Sequence, residues 1–508
     1  VELTALYKTL NFVMGIVIRQ SIYTSIISYA GVVIGYINLL YLYPKFLDIE
    51  QIGLLRTIQD AAILFVPFAQ MGLAQSITRF YPHFNKSGGG ASSFITMILT
   101  LSLIGFGIFW IIFTLAESHI LSFFNDQATL LAPYLHLVLW LTFLMLVATL
   151  LETYSRSLLK VAFPNLLREV VVRLLQAILV SLYFTKVISF HYFLIANVAI
   201  YGVVLFILVI NLSVAGQLKI HFDFSFLQSK RLREILQFSA LSFVGTSSMV
   251  IIGKVDSLMV AGLLGFSANA IYTTAFYMAT VIEIPKRAIL QTTMPLIAEA
   301  FEKNDLKEID NLYKKVSVNQ LIIGALLLIG VWANIQNIFA LVPKGEIFEA
   351  GAYVVLLVGL GKLIDMFFGP SSEIIVLSKY YAFNIVVVLV LAITVIVLNL
   401  VLIPIYGMTG AAIGSAIALF LFNSVKFIFI LWKFKLQPFT LSTLKVLGIS
   451  VLAFGLNLAL PQLENVFLDI FYRSALITLF FGSLTLISKS SPEVNKLAAK
   501  ALNLIGRK

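Results

Sequence analysis

Apolar runs of about 20 residues recur along the whole chain, each long enough to cross a hydrocarbon core of about 30 Å as an α-helix. Inside a bilayer every backbone N–H and C=O must be paired within the protein, so such runs fold as helices. A β-barrel would instead alternate polar and apolar residues over segments of roughly 10 residues, and the chain shows no such pattern. Composition agrees: 60% of the 508 residues are hydrophobic and 12% are charged, whereas soluble domains carry about 25% charged residues. The chain reads as an all-α polytopic membrane protein. The runs predict about 14 transmembrane helices, the first near 18–43, the fifth near 163–185, the eighth near 268–297 and the last near 466–487.

Several chemistries are excluded at once. There is no cysteine, hence no disulfide, thiolate metal site or cysteine nucleophile. No metal-ligand cluster, phosphate-cradling loop or nucleophile–base pattern is present. The Gly88 run after Lys86 reads as a flexible connection between helices 2 and 3. No basic region followed by an apolar core and a cleavage site opens the chain, so the first membrane helix is expected to direct insertion. The net charge of +11 lies mostly in loops, where it orients a membrane protein. No loop joins a basic patch to exposed aromatics, so nucleic acid is not an expected partner.

Lysine and arginine concentrate in the loops after even-numbered helices. Lys219, Lys230, Arg231 and Arg233 mark one such loop; Lys303, Lys307, Lys314 and Lys315 mark another. The positive-inside rule then places these loops and both termini in the cytoplasm. Helix 1 and helix 7 are each followed by a short polar turn and a second helix, so the chain repeats itself. The expected organisation is a six-helix bundle over 1–214, a cytoplasmic linker over 215–235 and a second six-helix bundle over 236–434. Two additional helices and a cytoplasmic tail occupy 435–508. Both halves start from the cytoplasmic side, which makes the repeat parallel, a pseudo-two-fold about the membrane normal.

The junction of helices 11 and 12 reads Asn399-Leu-Val-Leu-Ile-Pro404-Ile-Tyr-Gly407-Met-Thr-Gly410-Ala-Ala-Ile-Gly414. Two spans joined this tightly must be antiparallel, and the small residues at 407, 410, 411 and 414 let the backbones approach. The stretch resembles a hallmark of the multidrug/oligosaccharidyl-lipid/polysaccharide exporter superfamily. Further loose motifs follow in order: Glu50-x-x-Gly53, Gly72 to Arg79-Phe-Tyr81, Val255-Asp256, and Gly369-Pro-Ser-Ser372. Together they resemble the bacterial polysaccharide transporter branch, the O-antigen and exopolysaccharide flippases. That resemblance implies a multidrug-exporter-like fold, localisation in the bacterial inner membrane and no enzymatic activity of its own. It also implies a lipid-linked oligosaccharide substrate, contact with membrane lipids and other polysaccharide assembly proteins as partners.

Ionisable residues within the spans carry the functional argument, because lipid does not tolerate them and they face protein or water. The candidate cationic cavity consists of Arg19, Arg56, Arg79, Arg168, Arg173, Lys254, Lys286, Arg287 and Lys362. Arginine offers a planar donor fork to phosphate and lysine a point charge, which suits a polyprenyl diphosphate. Tyr272, Phe276, Tyr277 and Trp332 could stack on sugar faces, although ordinary packing or an interfacial belt is the better account of such aromatics one by one. The acids Asp60, Asp256, Glu283, Asp365 and Glu373 serve either ion coupling or structural pairing. No cofactor is expected, and the pattern does not separate proton from sodium coupling. Arg56–Asp60 and Lys362–Asp365 are spaced to pair along one helix. Glu283, Lys286 and Arg287 flank Pro285, which predicts a broken helix at a wet cavity. Lys426 reads as a residue snorkelling from a cytoplasmic end.

The leading expectation is a flippase moving a polyprenyl-diphosphate-linked oligosaccharide by alternating access. The alternatives are a lipid II or drug exporter of the same superfamily, or a membrane glycosyltransferase, polymerase or ligase. The enzymes commonly need a sizeable outer loop or a soluble domain, and the chain has neither.

Overall fold

The computed structural model describes residues 20, 23–86, 90–223 and 229–505, and the regular elements among them are all helical. Twelve described helices are long and apolar enough to span a membrane. They include α1 (Tyr23–Phe46), α2 (Ile49–Gln70), α3 (Gly90–Leu115), α4 (Asn125–Ser157) and α6 (Phe190–Val214). The fifth and eighth predicted spans complete the order as α5 (162–184) and α8 (266–302). Both are irregular: α5 contains a π-turn at Leu167–Val171, and α8 a 3-10 turn at Val281–Glu283. The reading of about 14 helices is compatible with this architecture.

The remaining spans are α7 (Ser229–Leu264), α9 (Leu306–Ala333), α10 (Gly345–Phe367), α11 (Tyr381–Tyr406), α12 (Met408–Phe434), α13 (Leu441–Ala459) and α14 (Val466–Ile487). Contacts divide the chain into two compact units that meet in sequence at Ala270 and Ile271. In the first unit α2 is central. It packs on both α4 and α7, and its core-facing Ile52, Leu55, Ile58 and Ala62 are almost fully buried. Asp48 opens α2 with a capping box closed by Gln51, which satisfies otherwise orphaned N–H groups.

In the second unit α9 is central. Helices α13 and α14 dock on it, with Leu321, Ala325, Val446, Ala453, Ile477 and Phe481 forming a shared apolar core. A polar clamp holds the far end of this pair. Arg473, nearly buried, binds Asp469 Oδ2 at 2.8 Å, and its guanidinium also donates to the carbonyls of Leu460 and Pro461. Asn337 donates to the same Asp469 oxygen at 2.6 Å.

The α11–α12 hairpin shows what its small residues do. Gly407 adopts φ 62°, ψ −146° at the turn, a region that side chains with a Cβ rarely enter. Gly410 sits where an added Cβ would lie 2.1 Å from the Leu402 carbonyl oxygen. Gly407 therefore supplies the turn and Gly410 the close approach. Gly410→Ala should force the helices apart at a cost of about 1–3 kcal/mol. Gly448→Ala on α13, where a Cβ meets nothing within 4 Å, should be neutral or stabilising. Thermal unfolding of the two variants in detergent checks this, and equal midpoints would refute it.

Candidate functional site

The predicted site residues gather into separate groups. In the first unit, α4 and α5 hold Arg156, Arg168 and Arg173 against Glu152 and Glu169. Arg168 Nη1 binds Glu152 Oε2 at 2.9 Å, Arg168 Nε lies 3.2 Å from Glu169 Oε1, and Arg173 Nη2 binds Glu169 Oε2 at 2.8 Å. The π-turn in α5 places Arg168 and Glu169 on this network. Glu152 escaped the sequence reading because it sits near the end of α4, where an acid looks like a loop residue.

A second group joins α2 to α7. Lys254 Nζ donates to Asp60 Oδ1 at 2.6 Å, and Ser257 Oγ lies 2.7 Å from Asp60 Oδ2. The network continues from Ser257 to Asn269, then from Asn269 Nδ2 to Thr57 Oγ1 at 2.9 Å, and from Thr57 to the Gly53 carbonyl at 2.8 Å. Asp60 is thus engaged from another helix, although its spacing from Arg56 had suggested a pair along α2. Arg56 donates to Gln59 at 3.3 Å and lies 5.5 Å from the Tyr43 ring centre. Asp256 is buried on α7. Arg79 lies 4.4 Å from the Phe238 ring centre, a cation–π contact in the middle of the Leu73–Lys86 helix. Arg19 lies outside the described residues.

The third group, in the second unit, is the densest. Pro285 begins the helical segment Ile284–Glu302 directly after the 3-10 turn, so the α8 backbone breaks where its three charges sit. Glu283 reaches Lys362 at 2.6 Å, and Lys286 is paired with Asp365. Lys362 and Asp365, three apart on α10, do not pair with each other among these contacts; two crossed ion pairs tie α8 to α10. α10 then breaks at Gly369 and Pro370, and the Ser371–Leu377 segment that follows carries Glu373. Glu373 lies within electrostatic range of Lys286, Asp365 and Lys426.

Lys426 of α12 is 1% exposed, donates to Ser372 Oγ at 2.7 Å and lies 3.8 Å from the Phe422 ring centre. It does not snorkel; it belongs to the cluster. Its neighbour one turn earlier, the buried Asn423, was the available signal for a polar face. Tyr272 is a core residue, whereas Phe276 lies beneath Lys362, 5.9 Å from its Nζ.

This cluster holds four bases, Lys286, Arg287, Lys362 and Lys426, against three acids, Glu283, Asp365 and Glu373. The surplus cation is accessible. The Arg287 side chain is 74% exposed and reaches Glu283 only at 3.6 Å, while Glu283 is already bound more closely by Lys362. A fork of guanidinium donors is therefore left for an anion.

Comparison with known proteins agrees with the architecture. A family model described as "Polysaccharide biosynthesis protein" matches residues 17–301, more than half of the chain. No curated protein matches by sequence. Among solved structures, the lipid II flippase MurJ in an inward closed conformation is similar with a TM-score of 0.75 and 15% identity, over 92% of this chain and 99% of that one. An inward-facing multidrug resistance MATE family transporter of the MOP superfamily is similar with a TM-score of 0.62 and 15% identity, over 82% of this chain and 94% of that one. A MATE structure in the straight conformation gives 0.54 and 16%, over 83% and 96% respectively. At these identities the likeness establishes the fold.

Proposed function

The chain belongs to the polysaccharide biosynthesis protein family, and from that premise we propose that it is a flippase for a polyprenyl-diphosphate-linked oligosaccharide. The observation that carries the reading is the exposed guanidinium of Arg287 in a cluster with one base in excess. We read α8 as a span of a membrane-protein fold, where a charged side chain is expensive against lipid, and we take its exposure as contact with water or with an anionic ligand. A diphosphate fits the fork in charge and in geometry. Lys362 and Lys286, already bound to acids, hold the cluster in shape around it.

A cationic drug would meet repulsion from the same surplus charge, which argues against a cation exporter. Lipid II presents the same lipid-diphosphate chemistry, so the anion site alone does not distinguish the glycan. We place the transport cycle in the bacterial inner membrane, by alternating access, with both termini cytoplasmic, as the distribution of lysine and arginine suggests. We assign coupling to a proton or sodium gradient to the buried acids. Asp60, Glu283 and Asp365 are each engaged by a lysine here, so an entering ion would have to replace that lysine.

Deleting the chain from its host should deplete one surface polysaccharide while its lipid-linked units accumulate on the cytoplasmic side of the membrane. Normal surface glycans together with normal lipid-linked pools would overturn the proposal.

A further inference from the structure

The first unit holds a half-open cavity of about 390 Å³ at the junction of α2, α4 and α7, partly covered by the short helix Glu117–Phe123. Ala61 and Phe65 of α2, Val138 of α4, Leu258 of α7 and Phe123 of the covering helix are among its walls. Two polar side chains also touch it, Thr57 and His119. The Thr57 hydroxyl is already committed, donating to Gly53 at 2.8 Å and accepting from Asn269 at 2.9 Å. His119 sits in the exposed covering helix, its Nδ1 3.5 Å from Ser118 Oγ.

Such a wall selects its occupant. An ordered water needs two to four polar partners, and this lining does not supply them. A sugar carries more hydroxyls than the site could satisfy, and a diphosphate would lose its solvation without gaining a cation. What remains is hydrocarbon. An apolar cavity of about 150 Å³ takes a benzene ring, so on that scale the volume suits roughly fifteen carbons. That is close to one fatty acyl chain and far short of a whole polyprenyl tail. The cavity is open on one side, so a chain can enter while its head group stays outside.

We propose that this cavity binds one acyl chain of a membrane phospholipid. The bound chain stabilises the conformation in which α2, α4 and α7 enclose it, because a ligand that binds one state shifts the population toward that state. The inference is independent of the transported substrate.

The test uses the purified full chain and a phosphatidylglycerol with a diazirine midway along one acyl chain. Irradiation should label peptides containing residues 57–65 and 131–138, and excess unlabelled phosphatidylglycerol should suppress the label. Ala61→Phe and Val138→Phe each place a ring in the cavity. In either variant that elutes as the parent does, labelling should fall to background. Three results would overturn the proposal: no labelling of these peptides in the parent chain, full labelling in a well-folded filled variant, or labelling only by a diazirine polyprenyl phosphate. If both filled variants misfold, suppression by unlabelled phosphatidylglycerol on the parent chain decides.

Discussion

Asp365→Asn should be the most destabilising single change in the charged cluster. Asp365 pairs with Lys286, and the two side chains are 21% and 12% exposed. Removing one partner takes away the nearest counter-charge of the other and leaves only the more distant members of the cluster to compensate it, at a cost of about 1.5–3 kcal/mol. Lys286→Gln should be similarly harmful, since it leaves Asp365 with only the more distant Lys426 and Lys362. The double variant Lys286→Met with Asp365→Leu should recover most of the loss, because an apolar pair of similar volume replaces a buried ion pair at little cost. Thermal unfolding of the parent, the two singles and the double, in one detergent, yields the coupling directly. If Asp365→Asn unfolds with the parent, the crossed pairing of α8 and α10 is wrong.

These pairings are also where the sequence was least legible. The spans themselves could be read, because a bilayer demands a long apolar run for each helix. The break at Pro285 could be read too, since proline removes a donor just where three charges fall. The α11–α12 hairpin was readable from Gly407 and Gly410. What could not be read was rotation: which face of each span turns toward which neighbour. Spacing along a helix suggested Arg56 with Asp60 and Lys362 with Asp365. The fold instead brings Lys254 to Asp60, Glu283 to Lys362 and Lys286 to Asp365. In a medium of low dielectric an acid binds the base that packing delivers, from whichever helix it comes. Lys426 was misread for the same reason. Nearer the end of α12 its stem could have reached water, but α12 turns it inward onto Ser372.

Arg287 should behave in the opposite way to Asp365. Its side chain is exposed and its contact with Glu283 is long, so Arg287→Gln should change stability by no more than about 0.5 kcal/mol. Its effect should fall on the ligand. A charge-assisted hydrogen bond is worth about 1.5–3 kcal/mol, which corresponds to roughly a ten- to hundredfold loss in affinity for an isoprenyl diphosphate. Arg287→Lys keeps the charge and loses the fork, so it should fall between the parent and the glutamine variant. The ordering parent, lysine, glutamine separates a phosphate-binding arginine from one that merely holds Glu283. In the latter case lysine would serve as well as arginine.

The most direct measurement is translocation by the purified chain in proteoliposomes, using a polyprenyl-diphosphate oligosaccharide labelled on its sugar and a membrane-impermeant reagent that reads the exposed leaflet. The parent should move the lipid across the bilayer and be slowed by added isoprenyl diphosphate. Arg287→Gln, reconstituted at equal density and with an unchanged unfolding temperature, should move it about ten- to a hundredfold more slowly. No translocation by the parent, or equal rates for the parent and Arg287→Gln, would contradict the assignment of the α8 cluster as the site that takes the diphosphate.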